Sequence, residues 1–170
     1  MNLLSGLTAG TTYEYQVGAG ELWSEVAEMA PFSADGKTSF FVLADVQASD
    51  FTQVKMLMDA INEGGYNFGI QTGDAIDTVT DYAEVKSVID LMSAAHFGDA
   101  DILRVLGNHE YYGDSAANVA SSLYNLPNTT AGGGYSVTYG DVYVATIHFT
   151  NTTAELESAL AWMVEDAKAS

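Results

Sequence analysis

Apolar and polar positions alternate with two different periods along most of the chain. Short continuous apolar runs predict buried strands, and they lie at 39–45, 66–74 and 101–106. Two longer segments, 49–65 and 80–98, carry apolar residues at helical spacing and predict amphipathic helices. The order strand, helix, strand, helix, strand predicts an α/β fold with a parallel sheet.

The C-terminal part of the chain follows a different pattern. Residues 133–149 alternate on both sides of Gly140-Asp141, which predicts a β-hairpin with these two residues in its turn. Residues 153–168 then have the spacing of an amphipathic helix, with Asn151 or Thr152 as its cap.

The first 36 residues differ from the rest. Alternation over Tyr13-Glu-Tyr-Gln-Val17 predicts a strand, and Leu7-Thr-Ala-Gly-Thr-Thr-Tyr13 is similar to the tyrosine corner of fibronectin type III sandwiches. Two or three strands cannot bury a sandwich core alone. We therefore expect residues 1–36 to be the C-terminal remnant of such a β-domain, or strands borrowed by the domain that follows at 39–170.

Composition excludes several classes of protein. With 48% hydrophobic residues among 170, the chain predicts a packed core and not a disordered polymer. The net charge is −18, with 23 acidic residues against 5 basic ones, so we expect neither nucleic-acid binding nor binding to anionic membranes. No apolar run has the length of a membrane span, and the absence of cysteine excludes disulfides and thiolate chemistry. An anionic substrate would need a bound cation as its source of positive charge.

Polar side chains follow each of the three predicted parallel strands. They are Asp45 and Gln47 after the first strand, Asp74 and Asp77 after the second, and Asn108, His109 and Glu110 after the third. Because the carboxyl ends of parallel strands lie along one edge of a sheet, we expect these side chains to converge on one crevice. Carboxylates held about 4 Å apart repel each other by roughly 4 kcal/mol at an effective dielectric constant near 20, and a cation between them removes that penalty. The pattern therefore predicts a metal site.

Two motifs together resemble a known family. Gly73-Asp74 after one strand and Gly107-Asn-His-Glu110 after the next, with Asp45 closing the first, resemble the calcineurin-like metallophosphoesterases. The fibronectin-like segment before them is most similar to the purple acid phosphatase branch. The resemblance covers residues 39–168, and it implies part of a four-layer αββα sandwich. It also implies hydrolysis of phosphoric esters by two divalent or trivalent metal ions, with Fe, Mn, Zn or Mg as candidates.

The resemblance also implies a role for each matching residue. Asp45 would bind the first metal, Asp74 would bridge the two, and Asn108 would bind the second. His109 would be the catalytic residue, which hydrogen-bonds the substrate phosphate or protonates the leaving oxygen. Gln47 stands where the family usually has a histidine, and its amide oxygen is a candidate ligand of the first metal.

Plainer interpretations stand beside these roles. Asp and Asn at strand ends favour turns and cap helices, which would account for Asp45, Asp74 and Asn108 without a metal. Gln47 would then be a solvated loop residue, and His109 a hydrogen-bonded loop histidine. Asp77 is either a helix cap or a ligand of the first metal. His148 lies within an apolar strand, which favours a core or strand-end histidine over a functional one.

The family's two later histidine motifs, the second ending in Gly-His-x-His, do not occur before Ser170. We therefore expect the chain to be a fragment of a longer enzyme, truncated at both ends. The alternative is a degenerate, non-catalytic phosphoesterase-like module used for surface interaction. The expected partner is a phosphorylated small molecule, with self-association through an exposed sheet edge as a further expectation. The fibronectin-like segment suggests an extracellular or cell-surface location.

Overall fold

The computed structural model describes residues 6–8, 10–29, 37–47, 51–78, 80–94, 101–112, 133–139 and 141–170. Four short strands near the N-terminus form two antiparallel pairs. Strand β1 (Tyr13–Tyr15) pairs with β4 (Ala27–Met29), and β2 (Gly18–Ala19) pairs with β3 (Leu22–Trp23). The strand predicted from the alternation after Tyr13 is therefore present, although it ends at Tyr15 and not at Val17.

The N-terminal strands leave much of their apolar surface uncovered. Leu22 and Trp23 are 79% and 66% exposed. The Tyr13 hydroxyl accepts a hydrogen bond from the Thr8 N–H at 2.9 Å, which is the kind of upstream backbone contact that a tyrosine corner makes. The assignment of residues 1–36 to a fibronectin type III-like domain stays a prediction.

The middle of the chain forms a parallel sheet, as predicted. Its strands are β5 (Phe40–Leu43), β6 (Phe68–Gln71) and β7 (Asp101–Arg104), in that order across the sheet. Helix α1 (Thr52–Gly64) connects β5 to β6, and helix α2 (Tyr82–Ala94) lies between β6 and β7 in the chain. The protein is therefore of the α/β class.

Apolar side chains on one face of this sheet pack against the two helices. Phe41 and Leu43 point from β5 into a buried cluster that includes Met58 of α1 and Val88 of α2. Alternation along β5 explains the division, because Phe40 and Val42 point to the opposite face. The main core thus lies between the sheet and the helices.

The opposite face of the sheet packs against the predicted hairpin. Strands β8 (Gly134–Tyr139) and β9 (Val142–Ile147) are antiparallel, with Tyr139 paired to Val142, and Asp141 lies in a turn as predicted, whereas residue 140 lies outside the described residues. Phe68 is fully buried here, stacked on Phe40 at 5.1 Å and on Tyr139 at 4.5 Å between ring centroids. These rings join the sheet to the hairpin.

Helix α3 (Thr153–Ala169) packs on the outer side of the hairpin. The Asp166 carboxylate accepts hydrogen bonds from the hydroxyls of Ser136 and Tyr143, both at 2.6 Å. Thr152 and Glu155 form a capping box, so the cap is Thr152, one of the two residues predicted for it. No helix in the described ranges is both long and apolar enough to cross a membrane.

Truncation of the ring that joins the sheet to the hairpin tests this packing. We expect Phe68→Ala to lower the free energy of unfolding by about 4 kcal/mol, because it removes a fully buried ring and leaves a cavity. Urea denaturation followed by circular dichroism measures the loss. Phe40→Ala is the matched control, since Phe40 stacks on the same ring but is 46% exposed, and its loss should be clearly smaller. Equal losses would contradict the packing described here.

Candidate functional site

The loops that follow β5, β6 and β7 are joined by backbone hydrogen bonds. The Asp45 N–H donates to the Gly73 carbonyl at 3.3 Å, and the Gln47 N–H donates to the Asp74 carbonyl at 3.4 Å. On the other side of β6, the Val105 N–H donates to the Gln71 carbonyl at 2.9 Å. The parallel ladder therefore continues past the strand ends, and it holds the first two predicted ligand loops side by side.

A buried carboxylate fastens the second loop to the third. Glu110 is fully buried, and its two oxygens accept hydrogen bonds from the N–H groups of Asp74 at 2.9 Å, Ala75 at 2.8 Å and Gly107 at 2.7 Å. Hydrogen bonds to a charged acceptor are the strong ones, so this carboxylate is the main link between the two loops. The sequence placed Glu110 at the strand end but predicted no role for it, although its position as the last residue of Gly-Asn-His-Glu was a signal.

Two glycines allow these loops to touch. A Cβ atom on Gly107 would overlap the Asp74 carboxylate and lie 2.6 Å from the Asp74 nitrogen, and one on Gly73 would lie 2.5 Å from the Gly107 Cα. Gly73 also has a φ of 102°, a conformation that favours glycine. No side chain fits between the loops, so both positions require glycine.

Backbone strain coincides with the two predicted carboxylate ligands. Asp45 and Asp74 have φ values of 52° and 53°, and they are the non-glycine residues with positive φ in the described ranges. This left-handed conformation costs on the order of 1 kcal/mol, although aspartate tolerates it better than most residues. Such outliers concentrate at binding and catalytic sites, where the surrounding structure holds them in place.

The third loop brings His109 to Asp74 and directs Asn108 to Tyr112. Residues His109–Tyr111 form a short 3₁₀ turn, and the His109 N–H donates to the Asp74 carboxylate at 3.0 Å. The Asn108 side-chain nitrogen donates to the Tyr112 hydroxyl at 2.9 Å. The amide oxygen of Asn108 is the atom that could coordinate a cation. Asp74 thus touches the predicted catalytic turn directly, whereas the Asn108 amide is held by an aromatic neighbour.

The His109 ring is anchored by the second loop. Its Nδ1 lies 2.9 Å from the Asp77 carbonyl oxygen and 3.1 Å from the Asp77 carboxylate, so Nδ1 carries a proton. The hydrogen bond to the Asp77 carbonyl is the main cause that raises the pKa of His109 above its usual value, and the negative charges of Asp74, Asp77 and Glu110 act in the same direction. His109 therefore stays a proton donor to a higher pH than an ordinary histidine.

The prediction that Asp77 caps the second helix is wrong. One Asp81 oxygen accepts from the N–H groups of Ala83 at 2.9 Å and Glu84 at 3.1 Å, so Asp81 is the cap of α2. Asp81 immediately precedes the first helical turn, whereas Asp77 lies four residues too early to reach it. Asp77 instead donates its N–H to Glu84 and holds the His109 ring.

Gln47 occupies a partly buried position and not a fully solvated one. Its Oε1 atom is buried and has no hydrogen-bond partner among the described residues. Gln47 also lines a cleft of about 520 Å³, together with Phe51, Asp77, Asp81 and Glu84. A buried acceptor without a donor is costly, and a cation bound at that oxygen would satisfy it.

The donor set suits a hard cation. The predicted ligands are the carboxylates of Asp45 and Asp74 and the amide oxygens of Gln47 and Asn108, and oxygen ligands of this kind favour Mg²⁺ or Mn²⁺ over Zn²⁺. Across the described ranges, the His, Asp and Glu side chains do not form a group of three that could hold a metal ion. Any site here therefore depends on the two amides as well as on the two carboxylates.

Comparison with known proteins adds no relationship. No protein-family model matches the chain, and neither a curated protein nor a solved structure matches it.

Substitution of the buried carboxylate tests its linking role. We expect Glu110→Gln to lower the free energy of unfolding by about 3 kcal/mol, because the amide removes the charge and turns a donor toward backbone N–H groups. Urea denaturation measures the loss. Glu165→Gln is the control, since Glu165 is exposed and pairs with Lys168 on the same helix. A Glu110→Gln protein within about 0.5 kcal/mol of the parent would contradict the role.

The pKa values of the two described histidines should be shifted in opposite directions. Burial lowers the pKa of His148, whereas the Asp77 carbonyl raises that of His109. NMR titration should therefore place the His109 midpoint above, and the His148 midpoint below, the ordinary value of about 6.5. The stabilisation from His109 is present below that value and is lost as pH rises through its folded pKa. The penalty from His148 grows as pH falls below about 6.5. Midpoints in the reverse order would contradict these environments.

Proposed function

We propose that the chain carries the core of a metal-dependent phosphoric ester hydrolase of the calcineurin-like type, closest to the purple acid phosphatase branch. The observation that carries the proposal is the pairing of Asp45 and Asp74. Both end adjacent parallel strands, both have positive φ, and their loops are hydrogen-bonded to each other. Aspartate tolerates this conformation in turns, but strained residues concentrate at binding sites, and a cation shared by the two carboxylates would account for both positions.

The packing order supports the sandwich that this family implies. Helices α1 and α2 cover one face of the parallel sheet, the hairpin covers the other, and α3 covers the hairpin. An αββα arrangement of this kind would hold the three loops at one sheet edge. The contact between Tyr13 and the Thr8 N–H supports a fibronectin type III-like origin for residues 1–36, and with it an extracellular or cell-surface location.

Charge explains why metal ions are needed. The cleft beside the loops is lined by Asp77, Asp81 and Glu84, and the described part of its lining contains no lysine or arginine. A phosphorylated small molecule would be repelled by these carboxylates. Two bound cations would supply the opposing charge and would lower the pKa of the attacking water. Asp45 and Gln47 would hold the first ion, Asn108 would hold the second, and Asp74 would bind both. Because these ligands are oxygen donors, they favour Mg or Mn over Fe or Zn.

His109 is the proton donor in this proposal. Because Nδ1 is held by the Asp77 carbonyl, Nε2 is the nitrogen free to face a substrate. The attacking water bonds to phosphorus and releases one proton to solvent, and the ester P–O bond breaks. The proton on Nε2 passes to the departing alkoxide oxygen, and solvent then restores it. General acid catalysis of this kind contributes roughly 10²- to 10⁴-fold, and the raised pKa keeps the donor protonated nearer neutral pH.

Removal of the ligand oxygens tests the function. We expect the parent chain to bind Mn²⁺ in calorimetry and to hydrolyse p-nitrophenyl phosphate, and Asp74→Asn and Asn108→Ala to lose both, with affinity falling by about tenfold or more. Asp59→Asn is the control, since Asp59 is an exposed α1 residue paired with Lys55. Mn²⁺ binding without turnover would favour the non-catalytic module. No Mn²⁺ binding by the parent chain would contradict the metal site itself.

A further inference from the structure

His148 is a buried histidine outside the predicted site, and it is bonded to the loop that leads into that site. It follows β9 and is 5% exposed. Its Nδ1 accepts a hydrogen bond from the Leu106 N–H at 3.2 Å, and the Phe149 N–H donates to the Leu106 carbonyl at 2.8 Å. Both backbone groups of Leu106 are therefore held by two consecutive residues after the hairpin.

Leu106 is the last residue before the Gly107-Asn-His-Glu110 turn. The next N–H, that of Gly107, donates to the Glu110 carboxylate, and Asn108 and His109 follow directly. The position of the turn relative to the hairpin thus depends on the bonds to Leu106. A displacement of Leu106 would move the N–H groups of Gly107 and His109, which donate to the carboxylates of Glu110 and Asp74.

The bond to Leu106 requires one protonation state of the ring. Because the Leu106 N–H is a donor, Nδ1 must be unprotonated, and the neutral ring carries its proton on Nε2. Nε2 is buried without a hydrogen-bond partner among the described residues. A second proton, on Nδ1, would point at the Leu106 N–H, so that two donors would face each other. The ring would also become a buried cation.

The groups around the ring do not compensate such a charge. The ring lies 6.1 Å from that of Tyr135, whose hydroxyl donates to the Arg104 carbonyl. The charged residues on the surrounding elements include Arg104 on β7, Glu110 in the turn, and Glu155 and Asp166 on α3. The three carboxylates already accept bonds elsewhere, and burial is what lowers the pKa of His148.

We propose that His148 is a positioning residue for the Gly107–Glu110 turn, which it holds only while its ring is neutral, so that acid releases the turn. The effect on the turn follows from the hydrogen bonds that His148 and Phe149 make with Leu106. Its effect on hydrolysis, a loss of activity at acidic pH, rests on the proposed function.

A titration of the unmodified protein is the first test, and it requires neither metal nor turnover. We expect the Leu106 and Gly107 amide signals in NMR to shift with the same midpoint as the His148 ring, below about 6.5. Their hydrogen exchange, corrected for its intrinsic pH dependence, should accelerate by up to about tenfold per pH unit below that midpoint. Amides that do not follow the ring would overturn the proposal.

Two variants separate positioning from mere packing. The Oδ1 of His148→Asn occupies the place of Nδ1 and accepts the same bond without titrating, whereas His148→Phe fills the space without an acceptor. We expect the asparagine variant to keep the Leu106 amide protected down to acidic pH and the phenylalanine variant to leave it unprotected at every pH. If the asparagine variant loosens with acid as the parent does, the proposal fails.

Activity gives a separate result. If the proposed function holds, the acid limb of p-nitrophenyl phosphate hydrolysis should move to lower pH in His148→Asn. A protein with no hydrolytic activity would count against the proposed function while leaving the amide measurements decisive for His148. An unchanged acid limb in an active asparagine variant would overturn the link between His148 and catalysis.

Discussion

One carboxylate organises the candidate site. Glu110 accepts three backbone N–H groups from two loops, and it does so in full burial, where the unpaired charge would be expensive. Its oxygens accept hydrogen bonds from backbone N–H groups in the loops after β6 and β7, and these bonds fix Asp74 relative to the His109 turn. The glycines at 73 and 107, the strained aspartate and the anchored histidine ring all depend on this closeness of the two loops.

The larger features followed from local pattern and from a general property of parallel sheets. Apolar runs and helical spacing predicted β5, β6, β7, the hairpin and α3, because each segment buries one face whatever its partners are. That Asp45 and Asp74 lie on neighbouring loops followed from the parallel order alone. The cap at Thr152 was predictable because the two residues of the capping box, Thr152 and Glu155, lie within four consecutive positions.

What pattern did not reveal depends on contacts between distant segments. The role of Glu110 needs three amides from two loops, and the choice of Asp81 over Asp77 as a cap depends on where α2 starts. Asp45, whose φ is positive, donates its N–H to Gly73, 28 residues further along the chain. The bond from Leu106 to His148 spans 42 residues, so a histidine in an apolar strand gave no sign of its partner.

The acid-lined cleft reverses the usual relation between ionic strength and association. Enzymes that act on anions commonly draw them in with lysine and arginine, and added salt weakens that attraction. Here the charged residues in the described part of the lining are all acidic: Asp77, Asp81 and Glu84. Counter-ions would accumulate at the mouth of this cleft and screen its carboxylates. If the proposed function holds, added salt would therefore ease and not hinder the approach of an anionic substrate.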